Sequence, residues 1–578
     1  MAIRASDDLT SIRRFFLEPA TAKQRQYEAL RAFYIDEEPS AAVAARFGYR
    51  PGSFRMLCHE FRHDLRREFF LSSHPGPVPA ARNNPARDRV VALRKLNHSI
   101  YEISELLRVE KIRLSPSAVR EILRQEGFAA LPRRLDEERP ERPRPTVEPV
   151  ADVRTFSLNA HSFHSPCGGL FLFVPDLVRL QVAGLADAAR LPGSKMIPAE
   201  HALRSTLALK LWTVEHRSHV MARVADPGLA LFAGLNAIPK KSFLLEISHR
   251  VEHQRTMRFL SAWHDALAGE KLFTGESINL DFHSVPYYGE DPRVERHYVA
   301  MRSRRQPSVL AFLAQDQDSR SFCYSNADLR KGEESEEVFR FLDFWKRQHG
   351  RYPAEIVFDS KLTTHNGLAR IDRLPVDFIT LRGRTPNLLR EIANLPRSAW
   401  RKIELDGVTR KFRFPRVYEQ DVTLEGCVLR QLFVQDLGHD EPTILLTNER
   451  KATHKTLVTR YAHRMLIENA LSDAVRFFHM NALSSSVGLK VDFDMALVVL
   501  ASGLYRLLAR RMRGYADAEA RHIFRDLIDT PATVNVSPKQ VHVRFHRRAH
   551  TPILMASGLL DAPVHVPWWG GATLTMTT

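Results

Sequence analysis

The stretch Ser277-Ile278-Asn279-Leu280-Asp281-Phe282-His283-Ser284-Val285 sets an acid inside a run that alternates polar and apolar side chains. Alternation of period two predicts a β-strand, and a carboxylate within it is costly to desolvate unless it meets a cation. This strand should end at Tyr287-Tyr288-Gly289, and outward from it residues 308–314 and 321–325 read as two further strands, turned at Asp316-Gln317-Asp318. Next, Val338, Phe341, Leu342 and Trp345 stand at i, i+3, i+4 and i+7. With acids before them and bases after them, they predict an amphipathic helix over 333–349. Residues 354–358 read as a buried strand closed by Asp359, and after a short helix 376–381 is another.

A three-strand meander, a helix and a fourth strand, with one acid on the first strand and a second at the end of the fourth, is the order of a ribonuclease-H-like catalytic core. The expected fold class is therefore α/β, with the first part of that core over 272–397. From 398 to 448 the pattern is all β, through Ile403 and Leu405, Phe412 and Phe414, 428–434 and 443–446, with turns at Asp406-Gly407 and Gly438. This predicts a β-rich insertion whose last strand returns to the core. A long helix over 455–478 and an apolar one over 495–512 complete the core within 449–515. Residues 516–578 read as a tail with a strand at 541–545 and a basic Arg547-Arg548 pair.

Upstream the chain reads as all-α. Within 1–75, helices are expected at 23–34 and 40–47, with a third opening at Pro51 after Gly48-Tyr49. A glycine stop followed by proline in the next first turn makes a tight corner. The third helix carries Arg55 and Arg62. Within 76–133 a similar unit has Ile100, Ile103, Leu106 and Leu107 on its middle helix, and Ser115-Pro116 opens a third that bears Arg120 and Arg124. Either trio alone serves equally as a plain three-helix bundle. Two in tandem on a basic chain favour helix-turn-helix units whose third helices enter a major groove. Residues 134–152, with Arg139-Pro140-Glu141-Arg142-Pro143-Arg144-Pro145, predict an extended linker, and 153–271 a helical region.

The 578 residues are 44% hydrophobic and 26% charged, the balance of a soluble protein of several domains. A formal net charge of +17 makes nucleic acid the expected partner. Cys58, Cys167, Cys323 and Cys427 include no Cys-x-x-Cys pair, which fits a reducing compartment. His161, His164 and Cys167 have the spacing of half a zinc knuckle, but a closed structural site needs four ligands and no second pair stands nearby. The N-terminus lacks a signal-peptide pattern, and 495–501, the longest apolar run of the C-terminal half, is too short to span a bilayer. A cytoplasmic location and no membrane partner are expected.

Two-metal phosphoryl transfer needs carboxylates from separate elements that flank two Mg²⁺ ions. Asp281 and Asp359 supply two, although an isolated acid at a strand end serves as well as a turn or cap. Tyr461, Arg464 and Glu468 stand at i, i+3 and i+7, on one helix face at about 100° per residue. The pattern Tyr-x-x-Arg-x-x-x-Glu, after a β-rich insertion and two strand-borne aspartates, resembles the bacterial insertion-sequence transposases of the Asp-Asp-Glu class that carry a Tyr-Arg-Glu-Lys signature. Leu280-Asp281-Phe282-His283 and Val357-Phe358-Asp359-Ser360 are similar to the first two motifs of that family. The likeness covers about residues 225–512, including Leu229-Ala230-Leu231-Phe232-Ala233-Gly234-Leu235-Asn236.

The resemblance implies that Asp281, Asp359 and Glu468 are the catalytic metal ligands, holding two Mg²⁺ ions, with Mn²⁺ as an alternative. They would cut the 3′ phosphodiester at an element's end and let the freed 3′-hydroxyl attack target DNA. It implies also that Tyr461 and Arg464 hold the DNA backbone, and that the partner is double-stranded DNA, both ends and target, bound by a homo-oligomer. The family places a lysine seven residues after the glutamate; Val475 stands there, leaving Arg476 or His479 as its substitute. Without the resemblance, Arg464 and Glu468 reduce to a surface i, i+4 pair worth a few tenths of a kcal/mol. Asp473, Asp492 and Asp494 compete with Glu468 as the third ligand. Helix geometry turns Asp473 about 140° away and into solvent, and the other two follow Gly488 as caps of the next helix.

Two other readings fit the residues: a metal-dependent nuclease that cuts without joining, and a transposase-derived DNA-binding regulator without catalysis. The tandem helical units generate a test. Deleting residues 1–135 is expected to abolish footprints on specific DNA ends while leaving weak, salt-sensitive binding by the basic body. Footprints that persist on the same ends would contradict it.

Overall fold

In the computed structural model the described residues are 18–19, 21–65, 69, 85–129, 131, 149–287, 294–299, 304–360, 362–405, 413–438, 441–481 and 489–578. Most of the expected linker, including Arg139 to Pro145, lies outside them, as do Tyr288, Gly289, the Asp406-Gly407 turn, Phe412 and Gly488. The protein is mixed α/β and divides into two compact units, one up to Pro143 and one from Arg144 on.

In the first unit, α1 (Ala22–Tyr34), α2 (Ser40–Arg46) and α3 (Pro51–His63) close on Leu30, Val43, Phe54 and Leu57. The turn between α2 and α3 needs Gly48, whose φ of +69° suits a residue without a Cβ. Three more helices, α4 (Pro85–Lys95), α5 (Ile100–Val109) and α6 (Pro116–Gln125), have their own core of Val90, Leu93, Ile103, Leu107, Val119 and Leu123. Ser99 and Glu102 form a capping box at the start of α5, and Ser115 caps α6, so local hydrogen bonds fix where both begin.

The second unit opens with β1 (His161–Ser165), then a helical region that includes α7 (Ala199–Leu211) and α8 (His253–Leu267). There follow β2 (Ile278–Pro286), β3 (Arg296–Val299), β4 (Arg304–Asp316), β5 (Ser321–Asn326), α9 (Glu334–His349), β6 (Glu355–Phe358) and β7 (Asp377–Leu381). Next come β8 (Arg401–Lys402), β9 (Arg416–Leu424), β10 (Cys427–Gln435), β11 (Thr443–Thr447), α10 (His454–His463), α11 (Met465–Arg476) and α12 (Leu489–Arg511). The chain finishes with β12 (Ala532–Ser537), β13 (Gln540–Phe545), β14 (Val564–His565) and β15 (Thr573–Thr577).

One ten-stranded sheet has the order β3-β4-β2-β6-β7-β11-β10-β9-β8, with β5 on β4. β2 lies antiparallel to β4, and β4 to β5, whereas β2, β6 and β7 run parallel. The β-rich insertion is not a separate body: β11 pairs with β7 from Leu445↔Leu381 to Thr447↔Ile379, so its strands continue the same sheet. A buried strand edge must find partners for its amides and carbonyls, and β11 provides them. β3, which carries no strong alternation, is added at the outer end of β4.

α12 is buried on nearly every side, as its continuous apolar sequence requires, and lies against β5 and α8. Gly503 allows the close approach, since a Cβ there would meet Trp263 Cζ2 at 2.8 Å. The segment expected as a tail folds into a second sheet of order β1-β12-β13-β15-β14. Its edge strand β1 comes from the start of the expected helical region, paired from His161↔Val536 to Ser165↔Ala532. All four cysteines are free and buried. Among the described residues no single helix is long and apolar enough to cross a membrane.

Asp492 and Asp494 do not act as helix caps. Both lie inside α12, 3% and 4% exposed, because each has a partner on another element. Asp492 accepts from Ala327 N at 2.9 Å and pairs with His253 Nδ1 at 3.0 Å, while Asp494 pairs with Arg217. Asp492→Ala leaves a buried amide and a half-buried imidazole without their acceptor, and is expected to lower stability by about 2–4 kcal/mol. A urea midpoint equal to wild type would contradict this.

Candidate active site

β2 and β6 are parallel neighbours, with Ile278 beside Ile356 and Asn279 beside Val357. Asp281 and Asp359 each follow by two residues, so the two acids stand at the same end of adjacent strands. Asp281 lies within β2, and Asp359 is the first residue past β6, at the carboxyl end of a parallel strand. Glu468 comes from α11, which lies against β2.

The expected single helix over 455–478 is two helices meeting at Arg464. That residue keeps right-handed dihedrals, φ −54° and ψ −26°, while ending α10 and starting α11. Arg464 N donates to Tyr461 O and Ile467 N to Arg464 O, both at 3.0 Å, the i→i−3 bonds of a tightened turn. The side chain points inward from this joint. Its Nη2 lies 3.3 Å from Asp281 Oδ1 and its Nη1 3.2 Å from Glu468 Oε1. The Arg464 side chain is only 11% exposed, whereas Glu468 is 56% exposed, so the pair joins a buried guanidinium to a carboxylate at the surface. Arg464 Nε is buried without an acceptor.

Burial pushes the Asp281 carboxyl up to about 6. Arg464 and the Phe282 amide, which donates at 2.9 Å, pull it down, and the nearby Glu468 and Asp359 raise it further. Asp359 accepts from Ser360 N at 2.6 Å and Ser360 Oγ at 3.2 Å. Burial raises the Tyr461 phenol, Arg464 pulls it down, and the charges of Asp359 and Glu468 raise it further. These five side chains therefore lie within one another's field.

Among the described residues no three His, Cys, Asp or Glu side chains are grouped about a common point; Asp281 and Glu468 share the Arg464 guanidinium, and Asp359 acts on it through its charge. Three carboxylates set against that one guanidinium leave an excess of negative charge. The donors are all carboxylate oxygens, the set that suits Mg²⁺ or Mn²⁺.

A cleft of about 620 Å³ beside the acids is lined by Ser360, Arg382, Arg384, Tyr461, Arg464 and Glu468, among others. Arg382 and Arg384 escaped the sequence reading. Their signal was Leu381-Arg382-Gly383-Arg384, two bases around a glycine directly after a parallel strand. Arg382 donates to Gln431 and is held below its usual value by burial; Arg384 pairs with Glu441 at 2.8 Å.

The remaining expected residues are scattered. Arg476 is exposed in the last turn of α11. His479, expected on the same long helix as Glu468, lies past the end of α11 at φ +52° and is bonded to Thr213 O at 3.1 Å. Asp473 is turned from the acids as expected but is not solvated: it accepts from Ala520 N at 3.0 Å, and burial pushes it up to about 6. On α3, Arg55 bonds to Pro51 O at 3.3 Å and Arg62 to the Tyr34 hydroxyl at 2.8 Å. On α6, Arg124 pairs with Glu121 at 2.8 Å, and Arg120 is exposed. No protein-family model matches the chain, and no curated protein matches it either.

Ionised Asp281 opposes folding. Its folded value of about 6 exceeds the ordinary 3.8, so the stability of the protonated form is fully present below about 3.8 and is lost as pH rises through about 6. Asp281→Asn is expected to raise Tm at neutral pH and to lose that gain at pH values below the ordinary carboxylate range. A lower Tm at neutral pH would contradict this.

Proposed function

We propose that this protein is a DNA transposase of the Asp-Asp-Glu class, with a ribonuclease-H-like core on which Asp281, Asp359 and Glu468 hold two Mg²⁺ ions. The observation that carries the reading is Arg464 bridging Asp281 on β2 and Glu468 on α11, with Asp359 at the end of the neighbouring β6 near enough for its charge to act on both Asp281 and Arg464. The strand order β5-β4-β2-β6-β7 supports it. Three antiparallel strands, a helix, then two strands parallel to the first is the ribonuclease-H arrangement.

Bound divalent ions supply the Lewis acidity that activates an attacking oxygen and stabilises the leaving one in phosphodiester cleavage and strand transfer. The protein's own groups do the rest. Asp281, its side chain 19% exposed, is shielded from solvent where the charge is wanted. Once cations engage the carboxylates, the Arg464 guanidinium is available to a phosphate, whose oxygens it matches in a bidentate fork. The Tyr461 hydroxyl stands beside it as a donor. Arg382 and Arg384 extend the positive lining along the cleft, and the overall charge of +17 draws duplex DNA to the surface. In the first unit α3 and α6 would read the ends, with Arg55 and Arg120 on those helices as contacts, on a homo-oligomer assembled on DNA.

Asp281→Asn, Asp359→Asn and Glu468→Gln are expected to bind duplex DNA nearly as wild type does. Each should lose Mg²⁺-dependent nicking and joining of a precut 3′-hydroxyl end by about 10³-fold or more. Nicking near the wild-type rate in any of them would overturn the assignment. Wild-type cleavage without joining would reduce the activity to that of a nuclease.

A further inference from the structure

The sheet β1-β12-β13-β15-β14 has two unlike faces. Val534, Val536, Val541, Val543, Leu574 and Met576 are buried on one. The alternate residues Thr533, Asn535, His542, Arg544, Thr575 and Thr577 form the other, which is open to solvent to varying degrees. Register lines them up: Asn535 faces His542 and Thr533 faces Arg544, while His542 lies beside Thr575 and Arg544 beside Thr577. Cross-strand bonds fix the rows, with Gln540 Nε2 donating to Thr575 Oγ1 and His542 Nε2 bonded to Thr577 Oγ1, both at 3.0 Å. His164 on β1 continues the face, its ring 4.9 Å from that of His546.

A solvated sheet face ordinarily intersperses acids with bases. This one has hydroxyls, an amide, imidazoles and a guanidinium, and no carboxylate. Across residues 530–578 Lys539, Arg544, Arg547 and Arg548 stand against a single acid, Asp561. The side chains of Lys539, Arg544 and Arg547 make no ion pair or hydrogen bond among the described residues. Their charge is therefore uncompensated: Arg544 stands on the face among hydrogen-bond donors, Lys539 is exposed in the turn between β12 and β13, and Arg547 is exposed just past β13.

We propose that this face is a second DNA-binding surface, docking on the phosphodiester backbone of a duplex. Arginine, threonine and histidine donors suit phosphate oxygens, and contacts of this kind hold position without reading bases. Uncompensated arginines release counterions when they meet phosphates, which makes the binding salt-dependent. No strand of this sheet belongs to the ten-stranded sheet that carries Asp281. The choice of DNA over another polyanion rests on the reading of the acids as a DNA-cutting site.

The test uses the full chain with Arg544→Gln and Arg547→Gln together, and a random-sequence DNA duplex titrated over a series of salt concentrations. The slope of log K against log salt is expected to become shallower by about 1.8, two phosphates at about 0.9 each. Arg544→Glu with Arg547→Glu should weaken binding further at an unchanged Tm. The control Arg258→Gln with Arg347→Gln removes the same charge from exposed positions elsewhere and should leave the slope as it was. An unchanged slope in the sheet variant, or an equal loss in the control, would overturn the proposal. So would intact duplex binding with lost binding of polyglutamate, which would assign the face to an acidic protein. Mg²⁺-dependent cleavage at saturating DNA, with Asp281→Asn alongside, reports on the acids alone, so either reading can fail while the other stands.

Discussion

Arg464 lies between Asp281 and Glu468 with its side chain largely out of solvent, and this bridge is what offsets the charge of an acid set within an apolar sheet. Like charges brought together in a low dielectric raise one another's proton affinity, and burial does so more strongly. Asp281 shows both effects and is held in check by Arg464. The helix joint at Arg464 is part of the same device. By tightening one turn, the chain sends the guanidinium inward at the junction while α11 carries Glu468 past β2.

The sheet supplies the other half of the geometry. Parallel pairing of β2 with β6 is what sets Asp281 and Asp359 at the same end of adjacent strands, and parallel strands need a crossover, here α9. Behind the sheet, α12 is fixed by groups that do no chemistry: Asp492 ties it to Ala327 after β5 and to His253 on α8, and Gly503 admits Trp263. The cleft with Arg382 and Arg384 exists because β11 continues the sheet from β7, which brings the insertion alongside α10.

What the sequence made legible was local. An acid inside an apolar alternation marked Asp281, the i, i+3, i+4, i+7 set of Val338, Phe341, Leu342 and Trp345 marked α9, the apolar Ile100, Ile103, Leu106 and Leu107 marked α5, and Ser115-Pro116 marked α6. What it hid was non-local or silent. The break at Arg464 has no glycine or proline and keeps helical dihedrals, so no residue announces it. β1 is five residues long and pairs with a strand near the other end of the chain, so nothing local marked residues 161–165 as a strand. Asp473, Asp492 and Asp494 looked like solvated or capping acids because their partners, Ala520, His253 and Arg217, lie on other elements. Arg382 and Arg384 looked like ordinary turn charges until the insertion was seen to wall a cleft around them.

The most direct measurement is anomalous scattering from crystals grown with Mn²⁺ and a DNA duplex carrying a 3′-hydroxyl end. The account predicts anomalous density within coordinating reach of Asp281, Asp359 and Glu468, with Arg464 turned from the carboxylates to a phosphate. Manganese bound elsewhere, or Arg464 still bridging Asp281 and Glu468 with no metal beside them, would contradict it.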